Sequence, residues 1–417
     1  MKTSLTFAFC TLLCALSARG GPVQSISRLA FGPDHVLFLA DWKAGQIVAL
    51  DLPAASALKA EPFNLTNFDE ILSKAVGGSD FRVEDMKARP GTGEVYVALS
   101  AGHDGRPMLV SVTSDGSAKT LDLAANSGKS LPLKDAPDSG YEFWDKTPER
   151  SFTVTDMKWH EGKLYIAGLS NQEFASTLRI VPYPFSGSQR MVSVEIYHTS
   201  HDQIETRAPI RQMTFVTLGG KQYLLAAYLC TPLVTIPLDS MQDGAHVRGK
   251  TIAELGYGNT PDGIVTFDVT WQGATTTYAL VSNVERNAEL IPLTQIAAAN
   301  EKPGLMKQVN FGEIAGLSPI QAPLAGVYRI DNLNSQFLIA LRRDLATGHS
   351  QLLTFDKSFR FRISDFISEY NFPGYKYQGQ VQVGFIKPVE DALKKEEGYP
   401  VTSSPMPNGP FPYKGKQ

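Results

Sequence analysis

Cysteine is nearly absent: the 417 residues contain three, Cys10, Cys14 and Cys230. Two of these fall in Met1–Gly20, where Lys2 precedes an apolar run from Leu5 to Leu16 and small residues follow at Ser17 and Ala18. That order is the pattern of a secretory signal peptide, and its apolar run is too short to span a bilayer. Neither Cys10 nor Cys14 follows the small residue that lipid attachment requires. The sequence therefore predicts a periplasmic or secreted product that retains Cys230 alone. A single thiol excludes an intramolecular disulfide framework, so stability has to come from packing.

An excess of one charge is lacking too. Lys and Arg number 39 against 42 Asp and Glu, a net charge of −3, which gives no electrostatic case for nucleic acid or an anionic membrane surface. No later apolar stretch has the length of a membrane span. Also missing are C-x-x-C-H for covalent haem, the G-x-S-x-G elbow, the P-loop, H-E-x-x-H and the EF-hand loop. Easily recognised hydrolases and c-type cytochromes are excluded on that ground, and no nucleophile–base pair can be named from spacing.

What the chain does contain is one recurring unit, clearest in Ile210–Leu238. A mostly apolar strand, Ile210–Thr217, meets a Gly219-Gly220 turn, then a second strand at Tyr223–Leu229 and a third at Leu233–Leu238. The same plan begins near Ile26, Val83, Val154, Asp262 and Leu324. The repeat is about 60 residues long, carries several strands and has no long helix, which predicts an all-β protein, a β-propeller. Six blades are expected, with seven open because the termini could build a partial one. The propeller should span residues 21–387, with short helices in its inter-blade loops, and the Pro-rich residues 388–417 should form an extended or disordered tail.

The linkers are unequal. Thr66, with Asp69 three residues on, reads as a capping box for a helix from Asn67 to about Ala75. The longest insertion, Leu121–Thr153, carries Tyr141, Phe143 and Trp144 and reads as a lid that packs down. Gln378–Phe385 alternates polar and apolar residues and reads as a late strand that completes the last blade or pairs with Pro22–Ile26 to close the ring.

Propeller geometry supplies the functional lead. The start of an innermost strand and the end of the second strand lie on one face of every blade, so residues in those columns surround one mouth of the channel. Just before Met86, Met157 and Met213 stand Asp85, Asp156 and Gln212, matched to Arg28, Ile264 and Gly326 in the other blades. One place earlier are Ser27, Glu84, Thr155, Arg211, Gly263 and Ala325. At the ends of the second strands come Asp41, Ser100, Asn171, Cys230, Asn283 and Arg343. The candidate ligand-binding set is accordingly Arg28, Glu84, Asp85, Asp156, Asn171, Arg211, Gln212, Asn283 and Arg343. Asp85, Asp156 and Asn283 offer the oxygen donors that Ca²⁺ prefers, whereas the arginines suit a carboxylate or phosphate. His198 and His201, three apart, with Glu205 and Cys230 not far along the chain, form a second candidate metal group, for which the Cys230 thiolate would favour Cu or Zn.

Ser27–Leu52, SRLAFGPDHVLFLADWKAGQIVALDL, resembles the repeats of NHL-type and related six-bladed propellers, which include gluconolactonase-class lactonases and quinoprotein-like periplasmic proteins. The resemblance implies a propeller over roughly Pro22 to Phe385. Lactonases of that class hold a divalent cation with a first-blade Glu and with Asn and Asp from later blades. Asp156, Asn171 and Asn283 would fill the later positions, and the first blade carries Ser25-Ile26-Ser27-Arg28. Two functions in different classes follow. One is a non-catalytic exported propeller that binds a small molecule, metal ion or protein partner at one mouth of the channel. The other is a metal-dependent hydrolase or lactonase in which Asp156 and Asn283 help hold the cation and Glu84 or Asp85 is the general base.

Overall fold

Each repeat folds as an up-and-down sheet whose second strand is apolar on both sides, because blades pack face to face. The computed structural model describes residues 22–55, 61–125, 127–229, 232–256, 260–359, 361–365 and 387–399. The expected signal peptide, Cys230 and the expected strand Gln378–Phe385 lie outside the described residues.

Six sheets form, so the protein is a six-bladed β-propeller. Blade one has inner strands Leu29–Phe31, Val36–Asp41 and Gln46–Asp51. Blade two is Phe81–Ala88, Val95–Ala101, Arg106–Val112 and Ala118–Thr120. Blade three begins at Asp156–His160 and continues through Lys163–Leu169, Ser176–Pro182 and Arg190–His198. Blades four, five and six start with Gln212–Leu218, Pro261–Trp271 and Val327–Asn332.

The order of the blades around the ring is not their order in the chain. The inner strand of blade one lies between those of blades two and three, and blade two lies between blades one and six. Six hydrophobic clusters record the same circuit. Leu39 packs with Tyr96 and Leu109 between blades one and two, and Phe38 packs with Met157 and Ile166 between one and three. Val194 with Leu224 joins three to four, Leu225 with Ala279 four to five, and Leu280 with Phe355 five to six. Val97 with Ile339 joins two to six. Each buried Leu, Ile or Phe contributes about 1.5–3 kcal/mol relative to exposure, so the ring needs no disulfide.

Two crossovers make the exchange. After blade one the chain runs outward, pairs Asn64–Leu65 with Leu352–Leu353 of blade six, and enters blade two through the helix Phe68–Val76. After blade two it turns back, pairs Ser127–Pro132 with Gln46–Leu50 as the fourth strand of blade one, and goes on to blade three. A closure of the ring is thus made by Asn64–Leu65 on blade six, from the crossover between blades one and two, while the closure expected of Gln378–Phe385 lies outside the described residues. The helix starts with Asn67 as its N-cap and without a side-chain cap bond. Thr66 is therefore not its cap, and Asp69 instead accepts the backbone N–H of Ser350 in blade six at 2.7 Å.

The insertion after blade two is not a lid. Phe143 packs edge-on against Phe152 at 5.4 Å, while Tyr141 and Trp144 are 63% and 95% exposed. Its second half is bolted to blades one and three. Buried Arg179 donates through Nε to both Asp135 oxygens, at 2.9 and 2.8 Å, and to the carbonyls of Thr153 and Leu169. Arg150 reaches the Trp42 carbonyl at 3.1 Å, and its guanidinium lies 2.4 Å from where a Cβ on Gly45 would stand. Gly45 also has φ +66°, so glycine is required there twice over.

The tail differs from expectation as well. Lys387–Lys395 is a helix with Val389 and Ala392 buried, not an extended segment. Glu397 follows it, accepts the Ile363 N–H at 2.5 Å and pairs with Arg362 at 3.3 Å. The residues beyond Tyr399 lie outside the described set.

Candidate functional site

Strand direction puts the starts of inner strands and the ends of second strands on one face, and the structure forms a cavity of about 630 Å³ there. Arg82, Arg211, Arg329 and Arg343 line it, with Tyr328, Asp69 and Asp262. Three of these blades carry a bulge at the mouth, between Val83 and Asp85, Pro261 and Gly263, and Val327 and Arg329. Each bulge inserts a residue and turns side chains toward the rim.

The cavity floor is an ion-pair network. Asp262 takes Arg211 at 2.5 Å and Arg329 at 3.6 Å. Arg329 also pairs with Asp85 at 3.3 Å and donates to the Glu84 carbonyl at 2.7 Å. The Nε of Arg211 is buried and has no hydrogen-bond partner among the described residues. At the rim Arg343 is exposed and makes no ion pair among the described residues, and Arg82 pairs with Glu84 at 2.7 Å while its side chain remains 78% exposed. Asp69 and Asp262 line the cavity and Glu84 and Asp85 pair with Arg82 and Arg329, so the four guanidinium groups meet four carboxylates, and Arg343 is the arginine among them that makes no ion pair among the described residues.

Deeper in the channel, charges of both signs are ordered by blade. Arg28, Asp85, Asp156, Gln212 and Arg329 occupy one column, each directly before a buried apolar residue, respectively Leu29, Met86, Met157, Met213 and Ile330. Asp85 and Asp156 are latches. Asp85 accepts the Leu29 amide of blade one at 2.8 Å, Asp156 accepts the Met213 amide of blade four at 2.8 Å, and Asp331 accepts the Ala88 amide of blade two at 3.0 Å. All three point the same way round the ring. Burial pushes the Asp85 carboxyl up, but Lys87, Arg329, Arg28 and the Leu29 amide outweigh it and hold the group below its usual range. Burial, with Arg329 and Arg211 nearby, pushes Arg28 down to about 10.

The opposite mouth is smaller, about 400 Å³, and is lined by Lys87, Lys158, Asp331 and Trp159 among others. Burial acts to lower the Lys87 ammonium but is outweighed by Asp85 and Asp331, which raise it. Burial and the neighbouring Lys87 lower Lys158.

Of the residues singled out from sequence, Arg211 and Arg343 line the large cavity. Arg28, Asp85, Asp156 and Gln212 stand in the channel column below it. Glu84 accepts from Arg82 and from the Ser100 hydroxyl at 2.6 Å. Asn171 is exposed and bonds Gln172, and Asn283 is buried on Glu289 and the Asn287 carbonyl. Among the described residues, the group of His, Cys, Asp and Glu close enough to share an ion is His198, His201 and Glu205, so Asp85 and Asp156 do not belong to one.

Arg82, Asp262, Tyr328 and Arg329 escaped the sequence reading. The column was placed at Ile264 and Gly326 in the last two blades, where the structure has Gly263 and Arg329, because the bulges shift the register. An Arg directly before an apolar strand residue, as at Arg28-Leu29, was the signal that could have found Arg329-Ile330.

No protein-family profile and no curated protein sequence matches the chain. Solved structures do. The PQQ-bound aldose sugar dehydrogenase of Streptomyces coelicolor is 10% identical at a TM-score of 0.30, with 81% of this chain and 96% of that one covered. Kuenenia stuttgartiensis hydrazine synthase is 10% identical at 0.29, covering 91% and 87%. Domains 1-2 of the Drosophila semaphorin 1b ectodomain are 8% identical at 0.33, covering 81% and 85%. Likenesses this distant carry no argument about activity.

Proposed function

We propose that this is an exported binding propeller whose arginine-lined mouth takes a small molecule bearing two anionic groups, a dicarboxylate or a phosphate ester. The observation that carries the reading is Arg211. Its Nε is buried without a partner among the described residues, at a cavity of about 630 Å³, within the roughly 300–1,000 Å³ usual for small ligands. Guanidinium groups recognise carboxylate and phosphate through paired N–H donors. Arg343 and Arg82 at the rim supply a second anchor for a second anionic group, and Asp262 keeps Arg211 and Arg329 oriented.

The placement of Asp85 supports binding over metal-assisted hydrolysis. A general base works best with a pKa near the working pH, whereas Asp85 is held ionised by its cationic neighbours and its oxygen is occupied by the Leu29 amide.

The reading is tested by isothermal titration with succinate, inorganic phosphate and glucose 6-phosphate, with glucose as the neutral control. The expected result is binding of at least one dianion but not of glucose, weakened about 10–100-fold in Arg82→Ala/Arg343→Ala, as loss of charge-assisted hydrogen bonds implies. No dianion bound, or an affinity unchanged by the double substitution, would refute it.

A further inference from the structure

A second group of polar side chains lies on the same face of the ring, away from the channel, where blade three meets blade four. The strand Arg190–His198 ends there, turns through Thr199–His201 and Asp202 in the left-handed region, and returns as Gln203–Glu205. The hairpin sets Ile196 opposite Glu205 and His198 opposite Gln203. His201 stands on the turn above them.

The result is one carboxylate between two imidazoles. Glu205 contacts His198 Nδ1 at 2.9 Å and His201 Nδ1 at 2.6 Å, and the two rings lie 3.9 Å apart, centre to centre. One ligand atom from each of the three residues lies within 4.8 Å of the other two. His198 is 3% exposed, and its second nitrogen, Nε2, is buried with no hydrogen-bond partner among the described residues. Tyr228 is 1% exposed, and its hydroxyl is likewise buried and unpartnered among the described residues. Burial raises that hydroxyl, and the Glu205 charge raises it further.

Buried polar atoms in folded proteins nearly always have partners. Here His198 Nε2 lacks one among the described residues, on a ring whose other nitrogen already meets Glu205, the arrangement in which a histidine presents its remaining nitrogen to a metal. We infer that His198 and His201, oriented by Glu205, bind one divalent transition-metal ion of the zinc class. Imidazole nitrogen donors favour such an ion over Ca²⁺, which prefers oxygen alone. His201 faces solvent, so the ion has an entry path and keeps an open position for water. This site is separate from the arginine mouth and stands whether or not that mouth binds an anion.

The test uses metal-free full-length protein titrated with Zn²⁺ alone, by calorimetry and thermal melting, with Ca²⁺ as the control. One Zn²⁺ per chain at micromolar affinity or tighter, with a raised Tm and no response to Ca²⁺, is expected. His201→Ala, at a half-exposed turn, should lose about 100-fold in affinity and Glu205→Gln about 10–100-fold, the range for removing a ligand or its orienting partner, while the metal-free His201→Ala protein melts as before. A Co²⁺-loaded sample gives a second readout through tetrahedral visible bands, absent in His201→Ala. Failure to bind Zn²⁺, or equal affinity in His201→Ala, would overturn the inference.

Discussion

Blades three to six follow one another around the ring as they do in the chain, whereas blades one and two have changed places. Yet the joints are alike. The core between blades two and six is as apolar as that between five and six, and the latch from Asp85 to blade one has the same form as that from Asp156 to blade four. A blade recognises its neighbour through its inner strand and its apolar faces, so position in the chain is not part of the recognition. What the exchange alters is the covalent path, carried by Asn64–Leu65 and Ser127–Pro132 on the outer edges.

The largest test of that equivalence is in the cores. Phe68→Ala, in the exchanged arc, and Phe355→Ala, in the sequential arc, remove fully buried rings and should each cost about 3–5 kcal/mol by chemical denaturation. A much smaller cost for Phe68 would show that the closing joint is loose. The latches come next. Asp85→Asn removes the buried charge that pairs with Arg329 and should cost about 3 kcal/mol, against about 1–2 kcal/mol for Asp156→Asn, which leaves one of its two amide partners with no carboxylate oxygen.

Acid sharpens the same contrast. The Asp85 carboxyl is held below the 3.8 it has when unfolded, so its contribution is present above that pH and is lost as pH falls toward the folded value. Wild type should therefore lose stability below about pH 4, with a shallower acid limb in Asp85→Asn, measured by melting across pH 2–6. The smallest effect belongs to the outer strands. Asn64–Leu65, two residues long, should exchange its amides faster than Lys250–Leu255 of blade four, by about 1–2 kcal/mol of opening free energy. Equal protection would mean that the crossover is as firmly seated as a sequential edge.

Blade count and strand grammar were legible because alternation and Gly turns are local. Blade order was not, since the same apolar face on Val97 or Leu280 fits any neighbour, and only the crossovers decide. The mouth was half legible. Arg211 and Arg343 were found from the columns, but a bulge adds a residue without changing composition, so Asp262 and Arg329 slipped out of register. His198 and His201 could be paired from spacing, with Glu205 close along the chain, and it is the hairpin that sets Glu205 against both rings. Thr66 matched a cap pattern that the backbone did not use, because Asp69 was recruited by the edge of blade six. Lys387–Lys395 looked structureless since its two buried residues, Val389 and Ala392, are too few to show a period.

The hydrogen bond from Thr354 to the Phe63 carbonyl joins residues 291 apart. During synthesis, Phe63 leaves the ribosome long before its acceptor site has a tenant, and loop closure over such a span is slow. The segment emerging among the first blades can pack on blade two at once, but the side of Phe63 and Phe68 that faces blade six must wait, uncovered, until the last blade is made. A nascent chain halted before Thr354 is therefore an open ring with a sticky edge, and the time from Phe63 to Thr354 is the interval in which a chaperone has most to do.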